Sequence, residues 1–193
     1  TEPAIIGLSA TPFRTNDDES HRLARRFDDR LFPVEQSELH VSLLKRGILA
    51  RAHYEEFDSE VGLTDHEIAQ LSALGDQWEG FESENLIEQI NQRLGADALR
   101  NDKLVEIIKE SNEASILFFT NSVIHSKVMA AKLNIAGVPA AAVSGDTRRS
   151  VRRWFLNRFQ RGELRVICNH SVLATGFDAP RTDMVLISRQ VFS

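Results

Sequence analysis

An α/β fold, a parallel sheet with helices on both faces, is the class this sequence predicts, and three observations carry it. Short continuous apolar runs at 115–119, 140–143, 164–168 and 184–187 read as strands buried on both faces. Amphipathic helical segments lie between the first three, the alternation that builds a parallel sheet. The polar residues Thr120, Ser144, Asn169 and Ser188 fall at the carboxyl ends of these strands, where ligands of such sheets bind.

Upstream, Ala4-Ile-Ile-Gly-Leu is apolar enough for a buried strand and is stopped by Ser9-Ala-Thr-Pro. Leu23, Phe27 and Leu31 recur every four residues and predict a short helix ending before Pro33. A helix over 37–46 should close at Gly47, and alternation over 51–57 suggests a strand. Thr64 followed by Glu67 is a capping-box spacing, predicting a helix over 65–74. Ile87, Ile90 and Leu94 mark a helix ending at Gly95; Leu104, Ile107 and Ile108 mark the buried side of another over 102–109. After the first sheet strand, Asn121 or Ser122 caps a helix whose Ile124, Val128, Ala131 and Ile135 face one way. A helix over 148–160 is expected to bury Val151, Phe155 and Phe159 and to stop at Gly162. Trp78, Phe81 and Trp154 read as core.

The 193 residues are 42% hydrophobic and 26% charged, which allows one substantial domain with a real core. No run of 18 apolar residues and no signal-peptide pattern is present, so a cytoplasmic location is expected. The single cysteine, Cys168, sits in an apolar run and reads as a small buried hydrophobe. The six histidines lack metal-ligand spacing, so no metal site is assigned. A chain that starts without Met on a strand pattern and stops just after another strand is expected to be a fragment.

Net charge is −5, yet the charge is segregated. Residues 55–92 hold eleven carboxylates and no Lys or Arg, whereas 147–165 hold seven arginines and one acid, Glu163. The local patch, not the average, meets a polyanion. Arg148, Arg149, Arg152, Arg153, Arg158 and Arg161 therefore read either as a solvated helix face or as a contribution to backbone binding. The acidic stretch reads as a solvated helical segment, or as a negative lobe that repels DNA from one face.

Four blocks, in order, carry a family resemblance. Gly7-Leu-Ser-Ala-Thr-Pro-Phe-Arg resembles motif III of superfamily-two helicases, the end of their first RecA-like domain. Ile116-Leu-Phe-Phe-Thr-Asn resembles motif IV, and Ala142-Val-Ser-Gly-Asp the strand and turn after it. Phe159-Gln-Arg-Gly-Glu-Leu-Arg-Val-Ile-Cys-Asn, running on to Val172-Leu-Ala-Thr-Gly-Phe-Asp-Ala-Pro, resembles the approach to motif V and motif V itself. Ala174 stands where relatives commonly carry a hydroxyl residue. The Gly-Phe-Asp-Ala-Pro form looks closer to DNA-directed members, including type I and type III restriction-enzyme motors.

The resemblance implies a C-terminal, RecA-like motor domain of the P-loop NTPase type. Residues 1–35 would be the tail of the first RecA-like domain, 36–112 a connecting and acidic helical segment, and 113–193 the core of the second, cut before motif VI. Ser9, Ala10 and Thr11 would couple domain closure to nucleic-acid grip. Gly176 and Asp178 would face the nucleotide. Thr120, Asn121, Ser144, Gly145, Thr175, Arg148 and Arg152 would hold nucleic acid, with DNA favoured over RNA. In Ser144-Gly-Asp, the glycine permits an unusual backbone angle and lets main-chain N–H groups approach a phosphate closely. The partner domain would be the first RecA-like domain of the same chain. The intact protein would use ATP and Mg2+. This fragment, without a Gly-x-x-x-x-Gly-Lys-Ser/Thr loop, an acidic box or arginine fingers, is expected to bind neither and to be inactive alone. Two other readings fit the residues: a nucleic-acid-binding module without motor activity, and an unrelated doubly wound nucleotide-binding domain.

Overall fold

The computed structural model describes residues 21–22, 24–25, 36–48, 50–58, 61–74, 81–173 and 181–189. The expected strand at 4–8 and most of the helix built on Leu23, Phe27 and Leu31 lie outside them. The chain divides into two compact units, Thr1–Glu56 and Phe57–Ser193.

In the first unit, α1 (Gln36–Lys45) ends at Gly47, whose φ of +67° is the left-handed turn that suits glycine. The strand expected over 51–57 does not form, and these side chains are exposed. Alternation alone cannot hold a strand when no strand among the described residues takes its N–H and C=O groups.

The second unit begins with a small helical layer. Thr64 and Glu67 close the expected capping box, Thr64 N donating to Glu67 Oε2 at 2.8 Å and Glu67 N to Thr64 Oγ1 at 3.2 Å. This starts α2 (Asp65–Leu74), and its Leu71 packs on Ile90 and Leu94 of α3 (Phe81–Ala96). Next, α4 (Ala98–Glu110) starts at Asp97, whose side chain accepts from Arg100 N at 2.8 Å. Its buried stripe is Asn101, Leu104 and Ile108; Ile107 is only half-buried.

The remaining elements are β1 (Ile116–Phe119), α5 (Val123–Ile135), β2 (Ala140–Val143), α6 (Arg149–Gln160), β3 (Val166–Asn169) and β4 (Met184–Ile187). The sheet is wholly parallel, in order β2-β3-β1-β4. Alternation along β1 divides the core. Ile116 and Phe118, with Val166 and Cys168, meet Leu104 and Ile108 of α4 and Met129 and Leu133 of α5. Leu117, Val143 and Ile167 meet Phe159 of α6 on the opposite face. Helices therefore cover both faces, as expected. Cys168 is fully buried, and burial pushes its thiol well above the usual range, so it serves as a hydrophobe.

Two helix faces depart from expectation. On α5, Ile124 and Ile135 are 74% and 88% exposed, and Val128 and Ala131 are exposed too. The sheet instead meets His125, Met129 and Leu133, a stripe displaced by one residue, or about 100°. Apolar residues surround most of this helix, so their spacing does not select the inner side. On α6, Val151 is exposed and Trp154 is 54% exposed, while Phe155 is half-buried and Phe159 buried. Trp154 is thus not core. Trp78 lies outside the described residues, and nothing is assigned to the Phe81 side chain.

Candidate functional site

Register brings the four strand ends to one rim. Phe119 is level with Asn169 and Ile187, and Val143 with Asn169, so Thr120, Ser144, His170 and Ser188 follow side by side. The rim is laced together. Thr120 donates through N and Oγ1 to Asn169 O, at 2.9 and 3.0 Å. His170 N donates to Val143 O at 3.1 Å, and Ser188 N to Phe119 O at 3.0 Å. Thr120 is fully buried with its hydroxyl engaged, so its first task is holding β1 to β3. Asn169 Nδ2 is buried at this rim without a partner among the described residues. Ser171, just beyond, has a φ of 58°, an unusual conformation for a non-glycine residue and one that gathers at functional loops.

Asn121 is the hub of a polar network that its sequence position does not announce. It is 3% exposed, and Ser122 is the residue that caps α5, accepting from His125 N at 3.0 Å. Asn121 Nδ2 donates to Asn91 Oδ1 at 2.9 Å; its Oδ1 accepts from Ser188 Oγ at 2.8 Å and Arg100 Nη1 at 3.1 Å. Arg100 Nη2 also donates to Ser188 O. Burial lowers the pKa of Arg100, although guanidinium remains charged at any ordinary pH. The chain of bonds ties α3 and α4 to the ends of β1 and β4. One sequence signal pointed there: Asn101 lies three and seven residues before Leu104 and Ile108, a polar residue on an apolar stripe.

His125 belongs to the same network. Its Nδ1 accepts from Asn121 N at 3.1 Å and its Nε2 faces Asn101 Oδ1 at 2.9 Å, which fits the neutral ring protonated at Nε2. Burial, then the nearby charges of Arg100 and His170, lowers its pKa from 6.5 to about 4. A depressed histidine favours the folded state above the unfolded pKa. That contribution is lost as pH falls from about 6.5 to about 4, because the unfolded chain takes the proton first. We expect a loss of about 3 kcal/mol between pH 7 and pH 4, read by urea unfolding, with the slope absent in His125→Gln. Glu67 titrates in a lower window: hydrogen bonding to Arg93 holds its carboxyl at about 2, so its contribution is lost below about pH 4.5.

Gly95 closes tightly over this ring. An added Cβ would lie 3.0 Å from His125 Cβ, 3.1 Å from its Cγ and 3.3 Å from Asn121 Cβ. With His125 pinned at both nitrogens, Gly95→Ala is expected to cost about 2 kcal/mol in chemical denaturation.

At the end of β2, Ser144 O accepts from Thr147 N at 3.1 Å and from Arg152 Nη2 at 2.9 Å, and Ser144 N donates to Thr147 Oγ1 at 2.9 Å. Arg152 therefore braces the turn, with its Nε buried and unpaired. Gly145 is exposed, does not adopt positive φ, and has open space where a Cβ would stand. The unusual backbone angle permitted there is absent; a glycine at this point only leaves the turn accessible. Beside it, Arg148, Arg149 and Arg153 are exposed, with no side-chain partner among the described residues. The structure thus brings Thr120, Asn121, Ser144, Gly145, Arg148 and Arg152 to one end of the sheet. Ser9, Ala10, Thr11, Thr175, Gly176 and Asp178 lie outside the described residues.

Residues 99–192 match the family model described as "Helicase conserved C-terminal domain". Among known proteins, the chain is 29% identical over 104 residues to the ATP-dependent rRNA helicase RRP3 of Debaryomyces hansenii, covering 54% of this chain and 21% of that protein. It is 31% identical over 83 residues to DEAD-box ATP-dependent RNA helicase 10 of Arabidopsis thaliana, covering 43% and 18%. The chain thus spans about a fifth of the length of such relatives. Among solved structures, the Pyrococcus furiosus Hef helicase domain superposes with a TM-score of 0.43 at 25% identity, over 62% of this chain and 28% of that one.

Proposed function

Because residues 99–192 match the family model of the helicase conserved C-terminal domain, we propose that the chain is the second motor domain of an ATP-dependent nucleic-acid helicase or translocase. The observation that carries the proposal is the polar rim where all four strands end, flanked by the arginine-rich start of α6. Backbone amides and arginines at such a place hold phosphate without reading sequence.

In this reading Arg148, Arg149 and Arg153, with the open turn at Gly145, contact the strand directly. Arg152, Thr120 and Asn121 hold those groups in position. Thr175 adds a further contact, and Gly176 and Asp178 form one wall of the ATP cleft. Ser9, Ala10 and Thr11 couple closure of that cleft to grip. Residues 1–35 belong with the first motor domain. The packing of α4 against α5 and the sheet supports a second domain that begins before residue 113, the boundary expected from sequence.

The sequence favours DNA, whereas the named relatives are RNA helicases. Contacts to phosphate serve both polymers, so the proposal is a single strand held by its backbone. Among the described residues no cluster of His, Cys, Asp or Glu could hold a metal ion. In this reading the phosphate loop and the Mg2+ contacts would be supplied by the first motor domain.

ATP turnover tests this reading. A protein carrying this domain beside a phosphate-loop domain should hydrolyse ATP faster when single-stranded RNA or DNA is added, and the better activator identifies the preferred polymer. Turnover by the 193-residue chain alone, or no response to either strand in the longer protein, would contradict it.

A further inference from the structure

We propose that Trp154 is a stacking platform for a base of a single strand lying along the outer face of α6. The inference rests on the backbone-binding reading above and adds a contact that neither the rim nor the motifs supply. Trp154 stands mid-helix and is 54% exposed, a large apolar surface left open among cations. It is also held in one orientation. The Arg158 guanidinium lies 4.8 Å from the indole centroid, and Arg158 Nε is in turn fixed by Glu163 at 2.9 Å. On the inner side the Phe155 ring packs at 5.1 Å, tilted by 50°. A braced indole loses little freedom on binding, which favours recognition.

Charge selects the occupant. Glu163 is the one acid from 147 to 165, and Arg158 and Arg161 already face it, at 2.9 and 3.8 Å. Arg149 and Arg153, one helical turn apart, form an exposed row about 100° or more round the helix from Trp154, with no side-chain partner among the described residues. A partner that matches both must present repeated negative charge and flat π-surfaces at short spacing, as single-stranded nucleic acid does. Every base has such a surface, so the contact would be tolerant of sequence.

The chain has two tryptophans, so Trp78→Phe leaves Trp154 as the only indole emitter. In that variant, oligouridine or oligothymidine should quench the emission, while inorganic polyphosphate of matching charge should not. In the otherwise unaltered chain, Trp154→Ala should weaken oligonucleotide binding about tenfold with its salt dependence unchanged, and Trp154→Phe should recover most of the loss. Salt-dependent oligonucleotide binding with no quenching and no effect of Trp154→Ala would overturn the stacking platform alone. Equal quenching by polyphosphate would also overturn it. Failure to bind any strand would overturn both this inference and the backbone-binding reading.

Discussion

Asn121→Ala is expected to lower the unfolding free energy by about 3 kcal/mol. The substitution removes an acceptor shared by Arg100 and Ser188 and a donor to Asn91, all in the buried corner where α3 and α4 meet the rim. What remains is a guanidinium short of one partner and a buried amide oxygen with none, and unsatisfied groups of this kind cost more than the lost bonds contribute. Denaturant unfolding measures the effect. A loss under about 1 kcal/mol would mean that water or repacking replaces the network.

The second large effect concerns binding. Arg148, Arg149 and Arg153 together changed to glutamine should weaken single-strand binding roughly a hundredfold at low salt. They should also make the slope of log affinity against log salt shallower by about 2, since each phosphate contact on a single strand contributes about 0.7. Folding should change little, because these side chains are exposed and bond to no other described residue. An unchanged slope with intact folding would move the strand off α6.

The sheet was legible because its strands are continuous apolar runs with turn residues between them. Met184–Ile187 is the expected strand residue for residue, and the capping box at Thr64 and Glu67 forms both of its bonds. Which side of a helix faces inward was harder to read. In α5 two apolar stripes lie one residue apart, and the contact with β2 and β3 selects the one bearing Met129 and Leu133. Trp154 looked like core by type, yet it stands 54% exposed on α6. The strand-end residues were placed at their rim, but their tasks were not visible. Asn121 reads as a helix cap or a phosphate ligand until Arg100, Asn91 and Ser188 arrive from 21, 30 and 67 residues away. Non-local bonds of that kind leave no spacing in a sequence.

In the proposed arrangement the strand is held at the carboxyl rim and along α6, and the carboxylate-rich surface of residues 55–92 takes no part. Photo-crosslinking of a single-stranded oligonucleotide to the chain, with the attached residues located by mass spectrometry, tests it directly. Attachment is expected within residues 144–158, suppressed as salt is raised. Attachment within 55–92, or an unchanged pattern when Arg148, Arg149 and Arg153 are glutamine, would contradict it.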